Sequence, residues 1–376
     1  MDREENKYLY WMFAAPGIGS KSGMDLIARL GSPREVYHRR ERTVEFIRTG
    51  SRKEYAQYIR EKTPEEVYEV LLRSGAQFTA LPLSDYPEKL RHIPDPPFGL
   101  TWLGSLPDPD IPAVAVIGAR QCSDYGRRMA EQFGRDLAVG GAQVISGMAV
   151  GIDGLAQRAA ISAGGRSYAI LGSGVDICYP KENRDLYEHL PGRGGIISEQ
   201  PVGMKPLPKH FPMRNRLISG FCDALLVIEA RRRSGTLITV EMALDQGRDI
   251  FAIPGRITDA LSDGCHQLIR EGASIATCSG DVLGTLFPEK IRKKKAGERS
   301  SGAGDDALSE EPAEAASDAE QNILAILANH AASVAVLADE LSQRGTCPGI
   351  PELMEMLLRL CASGILCQEG GYFRLR

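Results

Sequence analysis

Between residues 80 and about 285, short apolar runs alternate with stretches of helical pattern. AVAVIG (113–118), AQVISG (142–147), RSYAILG (166–172), GGIIS (194–198), DALLVIEA (223–230) and DIFAIPG (249–255) are each too short for a helix and apolar at successive positions. That is the pattern of strands covered on both faces. Between most of them lie helical segments such as SDYGRRMAEQFGRDLAVGG, GIDGLAQRAAISAGG and GTLITVEMALDQGR. Strand–helix alternation with doubly buried strands predicts an α/β fold, a doubly wound and mainly parallel sheet. The 40 glycines suit the many tight strand–helix turns such a sheet needs.

A chain of 376 residues is long enough for more than one domain. Residues 1–75 read as helical: APGIGSKSGMDLIARLGSPREVY has a Gly-x-Gly turn, an apolar helix, and a Gly-Ser-Pro stop before a new helix. This is either a helix-hairpin-helix unit, whose turn presents N–H groups to a phosphate, or a helical pair used for packing. The sheet-forming domain covers 80–287. Residues 288–318, opening KIRKKKAGERSS and continuing GAGDDALSEEPAEAASDAE, lack apolar periodicity and read as a flexible linker. Residues 319–376 carry three helical patterns and a terminal Gly-Gly hairpin, a winged-helix-like arrangement. Its third helix, PELMEMLLRLCA, has one Arg against two Glu, which favours a protein-contact or vestigial role over a tight duplex grip.

Composition removes several function classes. The eight cysteines form no C-x-x-C pair, and no His/Cys cluster has zinc spacing, so reduced thiols and no metal are expected. The start, MDREENKYLYWMF, has no apolar h-region, and no stretch approaches the ~18 apolar residues of a membrane span. A cytoplasmic location away from membranes is the expectation. The net charge is −4, yet from Lys205 to Arg233 seven Lys/Arg stand against Asp223 and Glu229.

Ligands of open parallel sheets bind outside the carboxyl ends of the strands. The residues that follow the strands are Gly118-Ala119-Arg120, the turn from Ser146 to Asp153 around Gly147, Gly172 to Asp176, and Ala230 to Thr236. Glycines admit close backbone approach, and helix starts attract phosphate oxygens. GARQCSDYG is not G-x-G-x-x-G, and G-x-x-x-x-G-K-[ST] is absent. Neither a dinucleotide nor ATP is indicated, and no cofactor is expected. Asp153 and Asp176 read as capping or turn residues.

KHFPMRNRLISG (209–220) concentrates Lys209, Arg214 and Arg216 around Phe211. Pro212 predicts a helix starting near Met213, with Phe211 in the loop and Arg214, Asn215 and Arg216 in the first turn. Cations there oppose the helix dipole, so an anion site explains them better than helix stability does. Phe211 either stacks on a base or packs under the loop. Phosphate-binding arginines beside an aromatic are the arrangement used for single strands.

VAVIGAR, VISGMAVGIDGLAQRAAI, ILGSGVDICYPKEN, FPMRNRLISGFCDALLVIEA and SGTLITVEMALDQGRDIFAIPG, in this order, resemble the DNA-processing protein A family (DprA/Smf). The resemblance implies an extended Rossmann-like domain that binds single-stranded DNA, homodimer formation, and loading of RecA recombinase, as in natural transformation. It implies a site made of Gly118, Arg120, Gly147, Lys209, Phe211, Arg214, Asn215 and Arg216, with Ser234, Gly235 and Thr236 on the rim. Many relatives have Gly-Ser-Arg where this chain has Ala119, which removes one hydroxyl donor.

The rival reading is an enzyme. SGTLITVE resembles the P-G-G-x-G-T-x-x-E signature of nucleotide phosphoribohydrolases, whose glutamate lies three residues after the threonine. That position holds Thr239 here, the nearest acid is Glu241, and Arg-Arg-Arg-Ser replaces the glycines. Without the acid a non-catalytic role is expected. A pure interaction scaffold, the third class, leaves the basic cluster unexplained.

Overall fold

The computed structural model describes residues 3–287, 318–327, 332–343, 349–362, 366–369 and 372–375. Most of the expected linker, 288–317, lies outside the described residues. The chain separates into two compact units, 1–299 and 300–376.

The first unit opens with helices α1 (Arg3–Ala14), α2 (Ser20–Leu30), α3 (Pro33–His38), α4 (Arg52–Glu61) and α5 (Pro64–Ser74). Their ends are written in the sequence. Ser32 Oγ accepts from the Glu35 N–H with Pro33 at the first position of α3, Thr63 and Glu66 form a capping box at α5, and left-handed Gly75 ends α5. Gly17, at φ +82°, packs so closely that a Cβ would lie 2.6 Å from the Ser51 Cβ. Packing alone therefore accounts for the first glycine of the Gly-x-Gly turn.

Strand β1 (Gln77–Ala80), helix α6 (Glu88–Arg91) and strand β2 (Gly99–Gly104) come next. Then β3 (Ala113–Ile117), α7 (Asp124–Val139), β4 (Gln143–Ser146), α8 (Ile152–Ser162), β5 (Ser167–Leu171), α9 (Arg184–His189) and β6 (Gly194–Ser198) follow. After them the chain runs through α10 (His210–Phe221), β7 (Ala224–Val227), α11 (Gly235–Asp245), β8 (Asp249–Ala252), α12 (Asp263–Arg270), β9 (Ser274–Ile275) and α13 (Ser279–Leu286). All nine strands form one sheet in the order β1-β2-β6-β5-β4-β3-β7-β8-β9. Every pairing from β6 to β9 is parallel, whereas β1–β2 and β2–β6 are antiparallel.

The six apolar runs are β3 to β8. The sequence reading did not include β1, β2 or β9, which lie towards or at the sheet edges. Alternation along the strands sends Ala113, Ala115 and Ile117 to one face, where they meet α6, α10, α11 and α12. Val114 and Val116 turn to the other face and pack on α7, α8 and α13. This two-sided cover is what the continuous apolar runs require. The N-terminal helices share a third cluster with Met148, Ala169, Leu171 and Ile196, so they pack directly on the sheet layer.

The second unit contains α14 (Asp318–Leu327), β10 (Ala332–Ser333), α15 (Val334–Gln343), α16 (Ile350–Ala362), β11 (Leu366–Glu369) and β12 (Tyr372–Leu375). β12 pairs antiparallel with both β10 and β11. Leu337, Leu341, Leu353, Leu357 and Phe373 belong to its separate core. The Gly-Gly turn expected at 370–371 lies outside the described residues. No described helix is long and apolar enough to cross a membrane.

Candidate nucleic-acid interface

The sheet order reverses between β3 and β7, since β4 to β6 lie on one side of β3 and β7 to β9 on the other. The loops leaving β3 and β7 therefore diverge and leave a crevice. A cavity of about 520 Å³ occupies it, lined by the β3 loop from Gly118 to Gln121, by Phe211, Pro212, Arg214 and Asn215 of α10, and by Ala230, Arg231 and Ser234 to Thr236. Ile117, Ile218, Ile238 and Leu261 add apolar wall.

The mouth is positive. Among the described residues, Arg120, Lys209, Arg231, Arg232 and Arg233 are exposed and none forms an ion pair. Nearby carboxylates are engaged internally. Glu229, at the end of β7, accepts from the Ser123 N–H at 3.0 Å and from its hydroxyl at the start of α7. A Cβ at Gly126 would fall 2.2 Å from Glu229 Oε2, so glycine there makes room for the carboxylate. The α7 N-terminus, where a dinucleotide phosphate would sit, thus already holds an anion of the protein's own.

A turn with little freedom backs this mouth. Asp153 accepts from the Gly147 N–H at 3.1 Å, Gln157 accepts from the Met148 N–H at 3.1 Å, and Asn183 donates to the carbonyls of Met148 and Ala149. Met148 itself is held in the left-handed region at φ 52°. Gly151, at φ +85°, lies so close to the β3 loop that a Cβ would be 2.4 Å from the Ala119 carbonyl oxygen. Asp153 is therefore a turn-holding residue, and burial pushes its carboxyl pKa up. Asp176 serves similarly, accepting from the Gly203 N–H at 2.9 Å.

The basic helix begins three residues earlier than expected. α10 starts at His210, whose N–H bonds the Leu207 carbonyl and whose ring lies 3.2 Å from the Gly172 carbonyl. Pro212 still falls in the first turn, where no N–H is needed. Phe211 is consequently helical rather than in a loop, and Arg214, Asn215 and Arg216 occupy the second turn. Their arginines diverge. Arg214 is only 6% exposed and donates to the carbonyls of Gly147 and Ile170. Burial lowers its pKa to about 10, which leaves it charged at neutral pH. Arg216 turns to Glu199, at 2.6 Å, and to Asp95, at 3.2 Å.

Gly118, Arg120, Phe211, Arg214, Asn215, Ser234, Gly235 and Thr236 therefore meet around one cavity. Gly147, Lys209 and Arg216 are not in its wall. Gly147 lies behind it, where a Cβ would come 2.7 Å from the Arg214 guanidinium. Thr236 Oγ1 donates to the Gly118 carbonyl and links α11 to the β3 loop. Ser234 Oγ is buried with no hydrogen-bond partner among the described residues. The sequence reading placed Gly151 in the turn from Ser146 to Asp153 and counted Glu229 among the acids, but their structural roles, and Asn183 altogether, escaped it because their partners are distant along the chain.

A family model described as DNA recombination-mediator protein A matches residues 77–287. The DNA processing protein DprA of Streptococcus pneumoniae is 46% identical over 198 residues, which cover 53% of this chain and 70% of that protein. The X-ray structure of the Streptococcus pneumoniae protein superposes with a TM-score of 0.59 at 37% identity, over 64% of this chain and 84% of that one. A Helicobacter pylori DNA processing protein A structure, reported for its single-stranded DNA binding mode, gives 0.51 at 28% identity, over 57% and 98%. The likeness bears out the Rossmann-like sheet, and the matched span includes the whole candidate interface. The chain belongs to the DNA recombination-mediator protein A family.

Proposed function

We propose that this protein is a cytoplasmic, non-catalytic mediator of recombination that binds single-stranded DNA across the crevice between β3 and β7. The observation that carries this reading is the cavity itself, which combines an unpaired cationic mouth with the half-buried ring of Phe211. Arg120, Lys209 and the Arg231–Arg233 run take phosphates, Phe211 stacks on a base, and the Asn215 amide and the backbone N–H groups of Gly235 and Thr236, following Ser234 at the start of α11, supply donors. Gly118 lets the strand approach. Gly147, Arg214 and Arg216 build the platform from behind, since their groups are committed within the protein. Family membership and the single-strand binding of the Helicobacter pylori relative support the ligand.

The enzyme reading is disfavoured by position. Thr239 lines the cavity where the phosphoribohydrolase signature needs its glutamate, and exposed Glu241 is outside the lining. Homodimer formation and delivery of RecA recombinase belong to the same proposal, on the strength of the family. In the second unit, the order helix, strand, helix, helix, strand, strand supports a winged-helix-like module. Arg359 on α16 is paired with Glu320, which favours a protein contact there.

The test is titration of labelled oligo-dT and a matched duplex with wild type and Arg120→Ala. Tight, salt-dependent binding to the single strand is expected. In the variant, the slope of log K against log salt should fall by about 0.7, the share of one phosphate contact. Absence of single-strand binding at moderate salt would overturn the reading. Loading is tested by RecA filament assembly on single strands with and without the protein.

A further inference from the structure

Two aromatics are markedly exposed among the described large hydrophobic side chains, Phe46 and Tyr179. Phe46 is covered by the Arg29 guanidinium, 5.0 Å from its ring centre. Tyr179 has no such cover. It is 43% exposed, and its hydroxyl makes no hydrogen bond among the described residues. Its one ring partner among the described residues is Phe211, with centroids 5.4 Å apart and planes inclined by 37°. Phe211 lines the cavity and Tyr179 does not, so the pair carries an aromatic surface from the cavity out over its rim.

The segment that holds Tyr179 is firmly tied. Ile177 N–H donates to the Gly174 carbonyl, Ser173 Oγ to the Ile177 carbonyl, and Tyr187 OH to the Val175 carbonyl. Asn183, just beyond, is the residue that bonds the carbonyls of Met148 and Ala149 behind the mouth. An exposed ring on a constrained segment loses little freedom when a ligand covers it. Exposed and unpaired Lys181 and Lys209 sit beside the two rings in sequence, one next to each turn.

We propose that Tyr179 is a second base-stacking residue, which extends the single-strand path by one nucleotide beyond the Phe211 position. This rests on the single-strand reading given above. A purine or pyrimidine laid on the outer face of Tyr179 meets a π-surface without regard to its identity. The strand's phosphates are then free to follow the lysines.

Oligo-dT is titrated over a range of salt with wild type, Tyr179→Ala, Tyr179→Phe, Phe211→Ala and Tyr179→Trp, all checked for an unchanged melting transition. Tyr179→Ala should weaken binding by roughly 5- to 100-fold, with the salt slope unchanged because no phosphate contact is lost. Tyr179→Phe should bind as wild type, and the added indole emission of Tyr179→Trp should be quenched by the strand. If Tyr179→Ala binds as wild type and the indole is not quenched, while Phe211→Ala loses affinity, the second stacking position is wrong and the crevice reading stands. If wild type itself fails to bind, both fall together, and that result is plainly different from the first.

Discussion

At the residue scale, Arg120 and Arg216 show how position decides what one guanidinium does. Arg120 leaves the carboxyl end of β3 into solvent, and no acid among the described residues pairs with it. Arg216, with its side chain 11% exposed, is held by Glu199, whose side chain is 9% exposed. Removing one member of so buried a pair strands the other charge. Arg216→Ala should therefore lower the unfolding free energy by about 3 kcal/mol in urea titrations. Single-strand binding by the folded fraction should keep its wild-type salt slope. A slope reduced by a full phosphate contact would instead place Arg216 on the DNA. Charge clustering in KHFPMRNRLISG was plain in the sequence. Which cations stay free depends on Glu199 and Asp95, which lie 17 and 121 residues before Arg216 and outside its helix.

Among the elements, the β3 loop and the start of α10 decide the shape of the mouth. Gly151→Ala would force a strained φ and press a methyl group onto the Ala119 carbonyl. We expect a loss of at least about 1 kcal/mol, read as a lower melting temperature, with weaker DNA binding because Arg120 shifts with its loop. His210 supplies a pH dependence. Burial holds its imidazole pKa below the usual value, so the folded protein favours the neutral ring. A depressed pKa contributes stability above the unfolded value, near 6.5, and that stability is lost as pH falls through the lower folded value. Urea midpoints should fall as the pH drops below about 6.5, and His210→Gln should flatten that part of the profile. An identical decline in the variant would show that other groups cause it.

For the whole molecule, the two units have separate hydrophobic cores. A chain ending at Phe287 should keep the thermal transition of the first unit, and its affinity for oligo-dT should stay within about threefold of the full chain's. Loss of binding on truncation would mean that the second unit takes part in holding the strand. The N-terminal helices are a different case. Leu9, Tyr10 and Trp11 belong to the same cluster as Ala169 and Ile196 of the sheet, so deleting residues 1–75 should expose that face and cause aggregation.

Local pattern settled the elements that depend on local physics. Runs such as AVAVI (113–117) and ALLVI (224–228) are apolar at every step, and strands covered on both faces satisfy that pattern, so the parallel core followed from sequence alone. The cavity-lining residues at the ends of β3 and β7 followed too, because ligand crevices lie at strand ends in such sheets. The outer strands β1 and β2 did not, since their patterns are weak and β2 joins the sheet through β6, about a hundred residues further on. Tertiary structure alone decided that Glu229 occupies the start of α7, that Arg214 is buried against Gly147, and that Tyr179 meets Phe211. Each depends on a distance between residues remote in sequence, and side-chain partnership of that kind leaves no periodic trace in the chain.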